Sequence, residues 1–230
     1  FNLLEMGISP ESSHHEEGPG QNEIDFRYST PLNAADNAVT FKSVVQTIAR
    51  RNGLFADFSP KPLMHESGNG LHINVSVKAE SGEDVTESFM AGVLEHTVEM
   101  TAFFNPVAAS YKRLGEKKAP KYVTWSPENR SQLIRIPAVK SENHRRMELR
   151  SPDPAANPYI AYALIIYAGL DGIKRNLKPA APCNCNLFTA DSAVTDSLTN
   201  LPDTIEKARN IAKNSEFIKR VLPEGCAESI

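Results

Sequence analysis

Strict alternation over residues 71–77 limits the fold of this chain more than any other feature. In Leu71-His72-Ile73-Asn74-Val75-Ser76-Val77 every odd position is apolar and every even position polar. A strand turns successive side chains to opposite faces. His72, Asn74 and Ser76 therefore share one face, with Leu71, Ile73, Val75 and Val77 buried behind them. Such a strand needs a sheet with a core on one side and open polar surface on the other.

Two more stretches show the same period. Glu16 and Glu23 flank a Gly18-Pro19-Gly20 turn that follows His14-His15. Glycine tolerates positive φ and proline fixes its own, so this is turn chemistry. Beyond it, Glu23, Asp25 and Arg27 alternate with Ile24, Phe26 and Tyr28, which predicts a hairpin with a polar face and a buried back. The hairpin reads either as a divalent-cation site, since hard ions prefer carboxylate oxygens, or as an acidic surface turn. In Arg146-Met147-Glu148-Leu149-Arg150 the period puts Arg146, Glu148 and Arg150 together. Taken singly, His72 is a satisfied histidine or a ligand, and Glu148 an ion-pair partner or a ligand. Arginines over 110–150 are solvated surface or an anion site. Taken together they favour phosphoryl chemistry on a small anion. Arginines grip carboxylate and phosphate with two parallel hydrogen bonds, and carboxylates hold the ion that neutralises a transferring phosphate.

The remainder is an irregular interleaving of elements. A helix is predicted over 34–51, with Phe41, Val44, Val45 and Ile48 at helical spacing and Gly53 closing it. Leu54 to Phe58 reads as a short strand ahead of Pro60 and Pro62. A second helix is predicted over 86–104, with Phe89, Val93 and Leu94 in the core and Asn105-Pro106 ending it. Asn157-Pro158 opens an apolar helix to about residue 177, asparagine as cap and proline in the first turn. Shorter helices are expected over 202–213 and 216–222. The pattern predicts one α+β domain over 1–230, with a mainly antiparallel sheet whose polar face carries the site and whose other face is packed by helices.

Composition narrows the classes. Lys and Arg number 25 against 28 Asp and Glu, a net charge of −3, so nothing points to nucleic acid. The longest apolar run, near residues 161–168, is too short to span a bilayer, so no membrane role is expected. Phe1-Asn2-Leu3-Leu4 shows neither a starting Met nor a signal pattern and reads as the inside of a longer protein. Cys183, Cys185 and Cys226 fit thiols in a reducing cytoplasm better than a disulfide framework or a zinc site.

The chain resembles the catalytic domain of glutamine synthetase, of the bacterial type I group. The resemblance rests on Ser13-His14-His15-Glu16 with Gly20-Gln21-Asn22-Glu23, Gly70-Leu71-His72-Ile73-Asn74-Val75-Ser76 and Ser110-Tyr111-Lys112-Arg113-Leu114. It continues through Asn129-Arg130-Ser131, Ile134-Arg135-Ile136-Pro137, Arg145-Arg146-Met147-Glu148-Leu149-Arg150 and Pro152-Asp153-Pro154-Ala155-Ala156-Asn157-Pro158-Tyr159. It implies a curved sheet, membership of nitrogen metabolism and a homo-oligomer in the full-length protein. The implied reaction is ATP-dependent ligation of ammonia to the γ-carboxylate of glutamate through γ-glutamyl phosphate. Relatives that use an amine instead, or that have lost catalysis and serve as structural or regulatory subunits, are the alternatives.

By motif the resemblance implies that Glu16 and Glu23 hold one Mg²⁺ or Mn²⁺, and His72 and Glu148 another. Asn74, Ser76, Arg135 and Arg146, with Glu11, would hold ATP; Gly68, Arg113 and Arg150 would hold glutamate. Arg130 would stabilise the charge that grows during transfer. Two departures matter. Where the family places a glutamate gate before Ala-Pro, this chain has Lys118, in a loop one residue shorter, which leaves Glu116 to substitute or the nitrogen donor to differ. Some bacterial members are adenylylated on the tyrosine of Asn-Leu-Tyr, and here the stretch is Asn186-Leu187-Phe188. No AMP adduct is expected there, and mass spectrometry of the native protein finding one at Phe188 would refute this. The family also has a β-rich domain before this one, and further metal carboxylates in a Glu-x-Glu strand. No Glu-x-Glu occurs in residues 1–230. The implied expectation is a catalytic domain truncated at both ends that, by itself, binds ions and nucleotide weakly and forms no glutamine.

Overall fold

A computed structural model describes residues 2–137 and 145–226 of the chain. Its order is α1 (Asn2–Glu5), β1 (Pro10–His15), β2 (Asn22–Phe26), α2 (Pro31–Arg51), β3 (Ile73–Val75), α3 (Thr86–Phe104) and α4 (Ala108–Tyr111). Then come β4 (Trp125–Ser126), β5 (Ile134–Arg135), β6 (Met147–Leu149), α5 (Pro158–Lys174), α6 (Ser192–Thr195), α7 (Ile205–Asn214) and α8 (Glu216–Val221). The fold is α+β. β1 and β2 form an antiparallel hairpin that pairs His14 with Glu23, with an irregularity between Pro10 and Ser12 that leaves Glu11 out of register. A four-stranded sheet runs β3-β6-β5-β4, antiparallel except for the β4–β5 pair. Its register sets Asn74 opposite Glu148 and Glu148 opposite Arg135. Directly opposed residues lie on one face, so three strands converge on Glu148.

The other face and the helices make the core. Ile73, Ile134, Met147 and Leu149 of the sheet pack with Phe89, Val93 and Phe104 of α3 and Leu164 and Ile165 of α5. Asn157 caps α5 by accepting from the Tyr159 N–H. Helices α3 and α5 touch at glycines. A Cβ on Gly92 would stand 2.1 Å from the Ala168 carbonyl oxygen, and one on Gly172 would stand 2.2 Å from that of Ser88. Backbone cannot yield as a flexible side chain does, so Gly172→Ala should destabilise by about 1–3 kcal/mol or more, the scale of core overpacking. Urea denaturation showing an unchanged midpoint would contradict this packing.

Several sequence expectations are corrected. Residues 54–58 form no strand. Leu54 and Phe55 are instead exposed, and the Phe58 ring packs edge-on against Phe41 at 5.9 Å. The strand expected over 71–77 is laddered only at Ile73–Val75, since its partner β6 is equally short and runs into Ser151-Pro152. Tyr28, expected on the buried back of the hairpin, is exposed, as β2 ends at Phe26. Helix α2 begins at Pro31, whose missing N–H is harmless in the first turn. Its fully buried residues are Ala35 and Ala38, while Phe41, Val44, Val45 and Ile48 are only half-buried. Helix α5 ends at Lys174, short of residue 177. Helix α7 starts at Ile205, where Thr204 caps it. Part of the irregular stretch expected over 110–150, residues 138–144, lies outside the described residues. Among the described residues no helix is long and apolar enough to cross a membrane.

Candidate active site

Glu148 is the centre of the polar sheet face. Its Oε2 accepts from Arg135 Nε at 2.7 Å and from Arg150 NH1 at 3.1 Å. Its Oε1 faces His72 Nδ1 at 3.7 Å. That gap is too long for a hydrogen bond but short enough for two ligands of one ion, each about 2.1 Å from it. Burial raises the Glu148 pKa, yet the Arg135 hydrogen bond and the Arg150 charge outweigh it and hold the carboxyl below its ordinary range. His72 is pushed down to about 3 by burial and then by Arg150, although one edge of the ring stays open to solvent. A neutral imidazole beside an ionised carboxylate is the ligand pair that a divalent cation requires.

The hairpin supplies a second group. His14 Nε2 lies 3.2 Å from Glu16 Oε1 and 3.9 Å from Glu23 Oε1, and the three offer ligand atoms all within 4.8 Å of one another. Glu23 has its pKa raised by burial first, then by the charges of Asp25 and Glu16, with Glu148 adding to them. The Glu148 charge acts on Glu23, so the hairpin carboxylates lie within electrostatic reach of the sheet face. The turn is pinned by Gln21, whose Nε2 donates to the Gly68 carbonyl at 3.1 Å and to Asn69 Oδ1 at 2.9 Å. The other three-member cluster among the described residues, Glu95-His96-Asp171, lies on α3 and α5 and is held by ion pairs from Arg175 and Arg220.

A charge that the fold holds against its preference gives a prediction. A carboxyl with a raised folded-state pKa destabilises the protein at neutral pH, and the penalty is relieved as pH falls through the folded value. Glu23→Gln should therefore raise the melting temperature of the ion-free protein by a few degrees while removing most of the stabilisation that Mn²⁺ gives. A variant that melts lower without Mn²⁺ and responds to Mn²⁺ as the parent does would contradict the assignment.

Other candidate residues gather around these two groups. Arg146 Nε donates to Asn74 Oδ1 at 3.1 Å, at the exposed end of the same face that carries Ser76. Arg113, 3% exposed, donates to the carbonyls of Ser151 and Arg150 and so braces Arg150 from behind. It also presses on Gly68, where a Cβ would meet the Pro60 carbonyl oxygen at 2.5 Å and Arg113 Cγ at 2.9 Å. Arg150 donates from Nη2 to the Lys118 carbonyl at 3.3 Å, and its buried Nε has no partner among the described residues, which leaves a donor for an anion. Arg130 is exposed on a turn close enough to act on the charge of Arg150. Glu11 is exposed in the hairpin irregularity. Glu116 pairs with the buried Lys61 at 3.1 Å, and Lys118 reaches Glu17 at 2.9 Å and Glu16 at 3.9 Å.

A cleft of about 850 Å³ is lined by Glu17, Lys118, Ser131, Leu187 and Phe188, among others. That volume suits a nucleotide-sized ligand. Sequence reasoning did not select His14, Glu17 or Gln21. His14 alternates with Glu16 and was open to the same period-two argument. The Glu17–Lys118 and Gln21–Asn69 contacts join distant segments and have no local signal.

The chain matches the family model "Glutamine synthetase, catalytic domain" over residues 1–230. It is 43% identical over 235 residues to the glutamine synthetase of Clostridium saccharobutylicum, covering 96% of this chain and 53% of that protein. Against the glutamine synthetase of Methanosarcina mazei it is 43% identical, covering 97% and 53%. A Staphylococcus aureus glutamine synthetase is 44% identical, covering 96% and 52%. The chain thus spans about half the length of the curated relatives it matches. Among solved structures, "GmaS/ADP complex-Conformation 1" superposes with a TM-score of 0.86 at 31% identity, covering 99% of this chain and 55% of that one. "Apo GmaS without ligand" gives 0.85 at 32%, covering 98% and 54%.

Proposed function

Because the chain belongs to the glutamine synthetase family and carries its catalytic domain, we propose that the whole protein ligates ammonia to the γ-carboxylate of glutamate at the expense of ATP. The observation that supports this most is Glu148, held by Arg135 and Arg150 through one oxygen while the other faces His72, opposite the Glu16–Glu23 hairpin. The donor set fits two divalent cations. His72 and Glu148 would hold one, and Glu16 and Glu23 the other, with His14 beside them. Carboxylate oxygens with imidazole suit Mg²⁺ or Mn²⁺, and such ions would neutralise phosphate charge during transfer.

The chain's own residues would act around that chemistry. Arg146, Asn74, Ser76 and Arg135, with Glu11 at the margin, line the face on which ATP phosphates would lie. Gly68 and Arg150, braced by Arg113, would orient glutamate with its γ-carboxylate in line with the γ-phosphorus. Attack forms the acyl phosphate and releases ADP. Ammonia then displaces phosphate at the acyl carbon and loses a proton as the amide forms. Arg130, exposed on its turn, would meet the charge on the transferring group.

The proton acceptor is where this chain departs from the family. Lys118 occupies the gate position and is neutralised by Glu17 and Glu16, so it would repel ammonium less than a free lysine. Glu116, on the same loop, would take the proton. Glu116→Ala in the whole protein should reduce ammonia-dependent turnover about tenfold or more. An unchanged rate would move the reading to a second one, in which an amine replaces ammonia. That second reading is favoured by Lys118 itself. Comparing turnover with ammonia and with a panel of primary amines separates the two.

A further inference from the structure

Cys183 and Cys185 carry a feature that ligation does not use. Their Sγ atoms stand 3.4 Å apart across Asn184, with Cys185 exposed and Cys183 half-buried. The loop is not free to splay them. The buried Gln132 donates from Nε2 to the carbonyls of both Cys183 and Cys185, the latter at 2.9 Å. The Cys183 N–H donates to the Trp125 carbonyl at 2.8 Å, and Ser126 Oγ donates to Asn184 Oδ1 at 3.0 Å. The Leu187 N–H donates to Ser131 Oγ at 2.9 Å, and Trp125 Nε1 to the Ala180 carbonyl at 2.7 Å. A disulfide needs a sulfur separation of about 2.05 Å, so rotation of the two side chains with a local bend of the backbone between them brings the sulfurs together.

We propose that Cys183 and Cys185 are a reversible redox site that closes to an intraloop disulfide by exchange with a low-molecular-weight disulfide. The accessible Cys185, as thiolate, attacks one sulfur of the small disulfide. A mixed disulfide forms on Cys185 and one small thiol leaves with the proton that Cys185 lost. Cys183 then attacks Cys185 Sγ and expels the second small thiol, which takes the proton of Cys183. Two protein thiols are oxidised and one small disulfide is reduced to two thiols. The order follows from access, and burial and the hydrogen bond with Cys185 push the Cys183 thiol up, which keeps it protonated until the second step.

The ring spans only Cys183, Asn184 and Cys185, so closing it bends the backbone, and little loop entropy is gained to stabilise it. Strained, exposed disulfides are the easily reduced ones. Bending also turns the two carbonyls away from the single Gln132 amide. The loop is tied to the segment 125–132, which carries Arg130, so the redox state reaches that segment. Any effect on turnover rests on the proposed role of Arg130, whereas the chemistry below does not.

Tryptic peptide 176–207 carries both thiols and excludes Cys226. Reduced protein is incubated with oxidised glutathione, acid-quenched, alkylated and mapped. The expected product is peptide 176–207 lacking two hydrogens and unalkylated, restored by dithiothreitol. A change in the emission of Trp125 should accompany it and reverse with it. Cys183→Ser should stop at a glutathione adduct on Cys185. Cys185→Ser should take up glutathione on Cys183 at least about tenfold more slowly than Cys183→Ser does on Cys185, through the loss of the accessible thiolate. Circular dichroism confirms that both variants fold. Persistence of two alkylated cysteines in the wild type, a final mixed disulfide without ring closure, or equal adduct rates in the two variants would overturn the proposal.

Discussion

Glu148→Ala should abolish turnover of the whole protein and lower its stability together. The carboxylate is 6% exposed and is the shared acceptor of Arg135 and Arg150. Removing one partner of a buried ion pair leaves uncompensated charge, at about 3–5 kcal/mol. Glu148→Gln separates folding from chemistry, since the amide keeps the volume and one acceptor oxygen but not the charge. It should remain folded and lose at least about a thousandfold in turnover, equivalent to about 4 kcal/mol of transition-state stabilisation. The depressed Glu148 pKa adds a pH signature. A carboxyl whose folded-state pKa is lowered stabilises the fold above its unfolded value, and that contribution is lost as pH falls through the folded one. The gap in stability between parent and Glu148→Gln should therefore shrink on acidification below the ordinary carboxylate range. A gap independent of pH would show that the ion pairs contribute nothing net.

Arg130→Ala should have a comparable effect on rate and almost none on stability. The side chain is exposed on a turn held in shape by the Asn129 N–H donating to Ser126 Oγ and the Ser131 N–H donating to Asn129 Oδ1. Its guanidinium is available for charge that appears only in the transition state. Arginines placed in this way on a transferring phosphoryl group account for about 10³-fold or more in kcat. The variant should lose that in kcat, keep its KM for ATP within a few fold, and melt with the parent. Arg130→Lys, which keeps the charge without the planar fork, should recover only part of it. A kcat within tenfold of the parent would remove Arg130 from the chemistry.

Much of this architecture is written locally. Period-two alternation found β3, β6 and the hairpin, and with them the shared faces of His72 with Asn74 and of Arg146 with Glu148, because side-chain direction along a strand depends only on position parity. Helix α3 was bounded to the residue, Thr86–Phe104, since its apolar spacing and the Asn105-Pro106 stop agree. Residues 54–58 carry no such alternation, and the strand read from their apolar character ahead of two prolines does not form: Leu54 and Phe55 are exposed instead. Residue parity also could not show that Glu148 divides its two oxygens between arginines and His72. Nor could it show that Lys118 crosses to Glu17, or that Gln132 gathers the Cys183–Cys185 loop. Those contacts join segments far apart in the chain and exist only once the sheet is assembled. Arg113 was read from its motif as a ligand for substrate, and its place behind Arg150 became visible only with its burial.

The proposed coupling of ATP cleavage to ligation at the γ-carboxylate of glutamate is read out by phosphate release from the whole protein. Release is measured with ATP and Mg²⁺ or Mn²⁺ while glutamate and ammonia are omitted in turn. Sustained release is expected only when both are present, with glutamine formed in equal amount and the signal lost in Glu148→Gln. Release that proceeds without glutamate, or no release with ammonia or any primary amine, would contradict it.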